Sequence, residues 1–232
     1  MTKTKIAAGE RNGHAGPAAK EQTVTITPPK MEVVPVLIRG TAPLVMNAFS
    51  RRQRGVMKAT QEAGAAAKKG KKREPKDFNQ CYEDAKHVST DGWCGIPATA
   101  FRSAMIDACR LVGFKMTHGK LGVFVEADGF DADDGTPLVR ISKGEPHYVE
   151  HAVRNATGVA DIRARPMWDP GWEAVVRIRY DADMFGLVDV MNLLARAGCQ
   201  IGLCEGRPNS KNGHGMGWGL FEICSTDDQA GE

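Results

Sequence analysis

No apolar run in the chain approaches the roughly 20 residues of a membrane-spanning helix, and the opening MTKTKIAAGERNGHAGPAAKEQ holds no apolar core of a secretory signal. The expectation is a cytoplasmic protein (in the host cytoplasm, if the chain is viral) with no membrane partner. The six cysteines form no CxxC pair and no regular framework, which reads as reduced thiols. Cys199 and Cys204 are separated by an odd number of positions, opposite faces of a strand, so no metal site is expected there. GxxxxGK[ST] and GxSxG are both absent. Nucleotide hydrolysis and nucleophile-elbow chemistry are therefore disfavoured, and no cofactor is expected. His87, His118, His147, His151 and His214 are scattered, and no nucleophile–base signature is visible around them. The chain is read as a non-enzyme; a metal-independent ribonuclease using His118 or His214 is kept as an alternative.

What the chain does have is an uneven charge. Of its 232 residues, ten cations fall between positions 51 and 76: Arg51, Arg52, Arg54, Lys58, Lys68, Lys69, Lys71, Lys72, Arg73 and Lys76. Only Glu62 and Glu74 oppose them, so this segment carries +8 of a whole-chain net charge of +3, and the remainder carries −5. A positive excursion on a mildly acidic body suits a polyanion. The solvated loop is the plainer reading of the same charges.

Residues 1–30 and 225–232 read as disordered tails around a single domain over 31–224, with the basic insertion at 50–90. MEVVPVLIR (31–39) is a strand, and Pro35 asks for an edge or a bulge. Residues 50–69 suit a helix capped by Ser50. Residues 93–113 suit another, with Pro97 in its first turn, Phe101, Ala104, Met105, Ala108 and Val112 on one stripe, and Gly113 as its stop. Residues 121–127 and 137–142 suit a hairpin across an acidic turn. Residues 161–165 and 173–180 suit a second, across Asp169-Pro170-Gly171. Alternation in that second pair puts Arg163, Arg165, Arg177 and Arg179 on one side, with Trp168 and Trp172 at the tip. A helix over 183–197, capped by Asp183, would carry Met184, Leu187, Val188, Met191, Leu194 and Ala195 on its apolar stripe and end at Gly198. A strand over 199–204, a glycine-rich loop over 205–217 and a closing strand over 218–223 complete the reading.

That loop holds Gly206, Gly213, Gly215 and Gly217, with Arg207, Lys211 and His214 among them. Glycine permits close approach of a partner's backbone, and loop amides flanked by cations suit an anion. No helix follows to supply an N-terminus, so this is not a dinucleotide fingerprint.

Two stretches together resemble the RAMP superfamily, the RNA-recognition-motif-like proteins that form backbone and processing subunits of CRISPR effector complexes. One is GIPATAFRSAM (95–105), similar to that superfamily's strand-to-helix junction. The other is the glycine-rich loop over 206–219, which ends in an apolar strand. The chain also resembles small proteins of bacteriophage genomes with the same two stretches. The loop is less arginine-rich than in many members. The resemblance implies an α+β, ferredoxin-like (RNA-recognition-motif-like) antiparallel sheet with two helices, in which sheet, loop and an inserted thumb grip single-stranded RNA or DNA. It also implies subunits able to assemble as homo-oligomers or filaments. The expected contacts are Arg51, Arg52, Arg54, Lys68, Lys69, Lys71, Lys72 and Arg73 of the excursion, the four sheet arginines, stacking by Trp168 or Trp172, and Arg207, Lys211, Gly213, His214, Gly215 and Gly217 of the loop. A virion or assembly protein with a basic arm is the runner-up.

Overall fold

The computed structural model describes residues 26–49, 51–64, 75–154, 160–210 and 215–224; the side chains of Arg51, Arg52 and Arg154 fall outside that set. Lys68, Lys69, Lys71, Lys72, Arg73, Lys211, Gly213 and His214 also lie outside the described residues.

The architecture is α+β with antiparallel sheets. Strand β1 (Met31–Gly40) sits centrally, and its alternation is the reason: Val36 and Ile38 point into the core while Val33 and Pro35 face out. On one side it pairs along its length with β9 (Glu173–Asp181). On the other it pairs only over Ile38–Gly40, with β10 (Phe221–Ile223). Beside Pro35 that edge has no partner strand among the described residues, which suits a proline there. The far edge of β9 is shared end to end. Strand β4 (Val123–Glu126) takes Arg177 to Tyr180, and β6 (Pro137–Lys143) meets Glu173 and Ala174. Two short strands, β3 (Gly95–Pro97) and β5 (Gly129–Phe130), extend β6. A second sheet joins β2 (Leu44–Val45), β8 (Ala160–Trp168) and β7 (His147–Arg154), in the order β2–β8–β7.

Helices α3 (Ala98–Leu111) and α5 (Leu187–Arg196) pack on each other and onto the large sheet. Phe101, Met105, Val190 and Leu194 meet Val36, Ile38, Val176, Ile178 and Phe221 in one core. Each such side chain contributes roughly 1.5–3 kcal/mol by leaving water. Gly113, at φ 68°, follows the end of α3 where the sequence places it, but Pro97 stands at the N-cap, as the last residue of β3, rather than in the first turn.

Several expectations are corrected. The described residues hold five α-helices rather than two; the others are α1 (Arg51–Glu62), α2 (Phe78–Asp84) and α4 (Met116–Gly122). Residues 161–165 and 173–180 do not pair. The turn at 169–171 carries the chain from one sheet into the other, so Arg163 and Arg165 stand on β8 and Arg177 and Arg179 on β9. Residues 121–127 and 137–142 do not pair either, because both lie along β9. Residues 95–97 are a strand leading into α3, since Ile96 is buried against β6. The N-cap of α5 is Gly186, whose N–H donates to Asp189 at 3.2 Å, and Asp183 instead accepts from the Lys30 N–H. Its buried stripe is Val190, Leu193 and Leu194; Leu187 and Val188 are exposed, the latter at 71 %. Residues 199–204 are no strand: α5 widens into a π turn, Ala197–Ile201, that ends at Gly202 with φ 74°. Gly198 lies against β10, where a Cβ would meet the Phe221 carbonyl at 2.2 Å.

Trp168 and Trp172 are corrected as well. They are 1 % and 0 % exposed, and the Trp172 indole donates to the Ala42 carbonyl at 3.0 Å. Neither ring has a face left for a base.

Candidate nucleic-acid interface

The π turn and Gly202 bend the chain after α5 toward the small sheet, and the segment is pinned there by backbone bonds. Glu205 N–H donates to the Val45 carbonyl at 3.0 Å, and Leu203 N–H to Gly219 at 3.0 Å. Met216 N–H donates to Gly206 at 2.7 Å, which folds the described part of the glycine-rich loop over itself. The loop is tied to α3 by Asn209, whose amide donates to Asp107 at 2.7 Å. Between these walls opens a cleft of about 1050 Å³. One wall is the first turns of α3 (Thr99, Ala100, Ser103), which carry no side-chain cap and leave amides pointing out of a positive helix end. The opposite wall is Leu203, Gly206, Arg207, Gly215 and Trp218, and the small sheet closes the side with Val153 and Arg163.

The glycines of this wall have different duties. Gly215, at φ 68°, lies so near the next turn that a Cβ would meet the Arg207 carbonyl at 2.8 Å. At Gly217, with φ 73°, a Cβ would meet nothing among the described residues, so glycine is needed there for its backbone. Cys204 is the one non-glycine residue among those described with positive φ, 59°. That conformation costs a residue with a Cβ about 1–2 kcal/mol. Burial pushes its thiol up to about 12, so it is not a nucleophile at neutral pH.

The residue beside Cys204 explains the aim of that turn. Glu205 puts one oxygen 2.7 Å from Arg163 Nη1 and the other 2.8 Å from Arg165 Nε. Arg163 also lies 3.6 Å from Asp161, which Lys76 contacts at 3.2 Å. Opposite Arg163 in the β7–β8 register stands His151. Its ring meets Trp218 edge to face at 5.1 Å between centroids, and both ring nitrogens are buried with no hydrogen-bond partner among the described residues. Burial lowers its pKa below 6.5; Arg165 and Arg163 lower it further while Glu205 opposes them.

Of the expected contacts, the structure therefore brings Arg163, Arg207 and Gly215 to one cleft, with Arg165 immediately behind Glu205. Arg207 turns back to the Cys204 carbonyl at 2.8 Å. Arg177 and Arg179 lie on the outer face of the large sheet and do not line the cleft. Arg177 is held by Asp128, by Glu126 at 3.7 Å and by the Ala127 carbonyl at 2.7 Å, whereas exposed Arg179 lies over the Phe124 ring at 5.2 Å. Arg54 pairs with Asp134 at 3.2 Å. His118 is exposed on α4 against Phe114, apart from the cleft.

Glu205, His151 and Trp218 were not legible as site residues. Trp218 carried one available signal, a large ring among loop glycines. His87 lines the cleft and bonds Asp131 through Nδ1 at 2.7 Å. Among the described residues no group of acidic, histidine or cysteine side chains could hold a metal ion. No helix among them is long and apolar enough to cross a membrane. No protein-family model matches the sequence, and no curated protein matches it.

Proposed function

We propose that the chain is a non-enzymatic, sequence-independent single-stranded nucleic-acid-binding protein of the RAMP type, and that the cleft beside the glycine-rich segment holds the strand. One observation carries the reading. The two stretches that bear the resemblance, 95–105 and 206–219, are separated by a hundred positions of chain, yet Pro97, Thr99, Ala100 and Ser103 of the first face Gly206, Arg207, Gly215 and Trp218 of the second across one cleft. The succession β1–α3–β4–β9–α5–β10 supports a ferredoxin-like core, because its strands stand side by side as β10–β1–β9–β4, all antiparallel. Uncapped helix amides, loop amides and arginines suit a phosphate backbone, and the Trp218 ring suits a base. Trp218 takes the stacking role in place of Trp168 and Trp172. The basic excursion adds affinity independent of sequence.

A second reading, an assembly protein with a basic arm, is favoured by α1. Its Val56 and Met57 are exposed at 54 % and 51 %, an apolar surface suited to a neighbouring subunit. A gel-shift panel of single- and double-stranded RNA and DNA, with and without divalent metal, tests the choice. Salt-sensitive retention of single strands is expected, and retention of none would leave the assembly reading.

A further inference from the structure

We propose that Arg163, Arg165 and His151 form a seat for one phosphate group, and that Glu205 fills it in the free protein as an internal stand-in for the ligand. The proposal rests on the nucleic-acid reading for its ligand class, a phosphodiester of the bound strand.

The geometry is that of an anion site already in use. Two guanidiniums from one strand each donate to a different oxygen of a single carboxylate, at 2.7 and 2.8 Å. Two oxygens of a phosphate are spaced much as a carboxylate's are, and arginine binds both groups by the same charge-assisted bonds. All three side chains are largely withdrawn from water, with 26 %, 12 % and 13 % exposure for Arg163, Arg165 and Glu205. Without an anion between them the two cations would repel at short range in a poorly solvated site. Beside them His151 has two ring nitrogens with no partner among the described residues, so a neutral imidazole N–H is left to donate to an anion bulkier than a carboxylate.

Glu205 is aimed there at a cost. Cys204, immediately before it, holds the left-handed conformation, and such strain collects where a side chain must be pointed. The Glu205 backbone is fixed to Val45, so a rotation of its side chain into the cleft is enough to vacate the seat. The strand then exchanges one of its phosphates for the carboxylate, and entry is opposed until that exchange occurs.

The test uses the full chain and Glu205→Gln, which keeps size and loses charge. A fluorescent single-stranded homopolymer is titrated against both over a range of salt. Removing the competing charge should tighten binding roughly tenfold at low salt, the value of a hydrogen bond to a charged group. The log–log salt slope should steepen by up to about 0.7, because wild type re-exposes a carboxylate when the phosphate enters and the variant does not. Adding Arg163→Lys and Arg165→Lys to Glu205→Gln should abolish the gain. Inorganic phosphate, followed by thermal melting, separates the two ideas. If no version binds the strand but phosphate raises the Tm of Glu205→Gln and not of wild type, the seat stands and the strand reading falls. If wild type binds the strand while folded Glu205→Gln binds no better and with the same slope, Glu205 is only a brace and the seat is overturned. Should Glu205→Gln not melt cooperatively, the wild-type Arg165 Nε–H resonance decides. It should move when the homopolymer is titrated, and its failure to move in a complex that forms overturns the proposal.

Discussion

Tryptophan 218 and tryptophan 172 differ in what surrounds them, not in what they are. Trp172 is fully enclosed and packs against Gly40, where a Cβ would lie 1.9 Å from its Nε1. Trp172→Ala should cost roughly 3–5 kcal/mol of stability by urea unfolding. Trp218 borders the cleft and rests against Gly206. Trp218→Ala should weaken strand binding by about 1–3 kcal/mol in a titration with a labelled oligonucleotide. An unchanged affinity would remove stacking from the mechanism. His151 gives a pH signature. Its folded pKa is depressed from 6.5, so the unfolded chain takes up the proton first as pH falls. Its contribution to stability is complete above the unfolded value and is lost on acidification through it. The groups facing the ring are Glu205, Arg163, Arg165 and Trp218. In His151→Gln the fall of Tm below about pH 6.5 should be shallower than in wild type.

At the scale of elements, the glycine-rich segment and the basic excursion make separable predictions. Gly215→Ala would drive a Cβ into the Arg207 carbonyl, so this variant should lose stability first and is a poor probe of binding. Gly217→Ala meets no neighbour among the described residues and costs what its left-handed backbone does, about 1 kcal/mol. If the segment cradles a backbone, Gly217→Ala should lose affinity by more than its melting temperature explains. Wild-type affinity would return the segment to a mere connection. In the excursion, neutralising Lys68, Lys69, Lys71, Lys72 and Arg73 together should flatten the salt dependence of binding by about 0.7 in log–log slope per lost phosphate contact. An unchanged slope in a protein of native circular dichroism would exclude that segment from the interface.

For the molecule as a whole, the prediction is the absence of strand cleavage. His118 stands apart from the cleft, and among the described histidines the one that lines it, His87, has Nδ1 engaged by Asp131 at 2.7 Å. Labelled RNA and DNA incubated with the protein should remain intact with or without divalent metal. Cleavage that disappears in His87→Ala would replace the binding reading with a hydrolytic one.

The sequence by itself determined the elements whose signals are local. Alternation in 31–39 gives β1, the 3.6-residue stripe and its Pro97 and Gly113 boundaries give α3, and Pro35 marks an open edge. These follow from backbone sterics and from which side chains one short segment can hide. The tertiary structure alone decided which strands pair. Residues 161–165 and 173–180 alternate just as a hairpin would, but alternation records that each strand has a buried face and says nothing of its neighbour. It also decided that Val188 faces water and that Trp168 and Trp172 are core, because the stripe of α5 and the enclosure of a ring depend on partners distant in sequence. The same holds at the site. Arg163 and Arg165 were legible as cations, but their charge is answered by Glu205, forty positions away, and no spacing rule within one chain segment could have joined them.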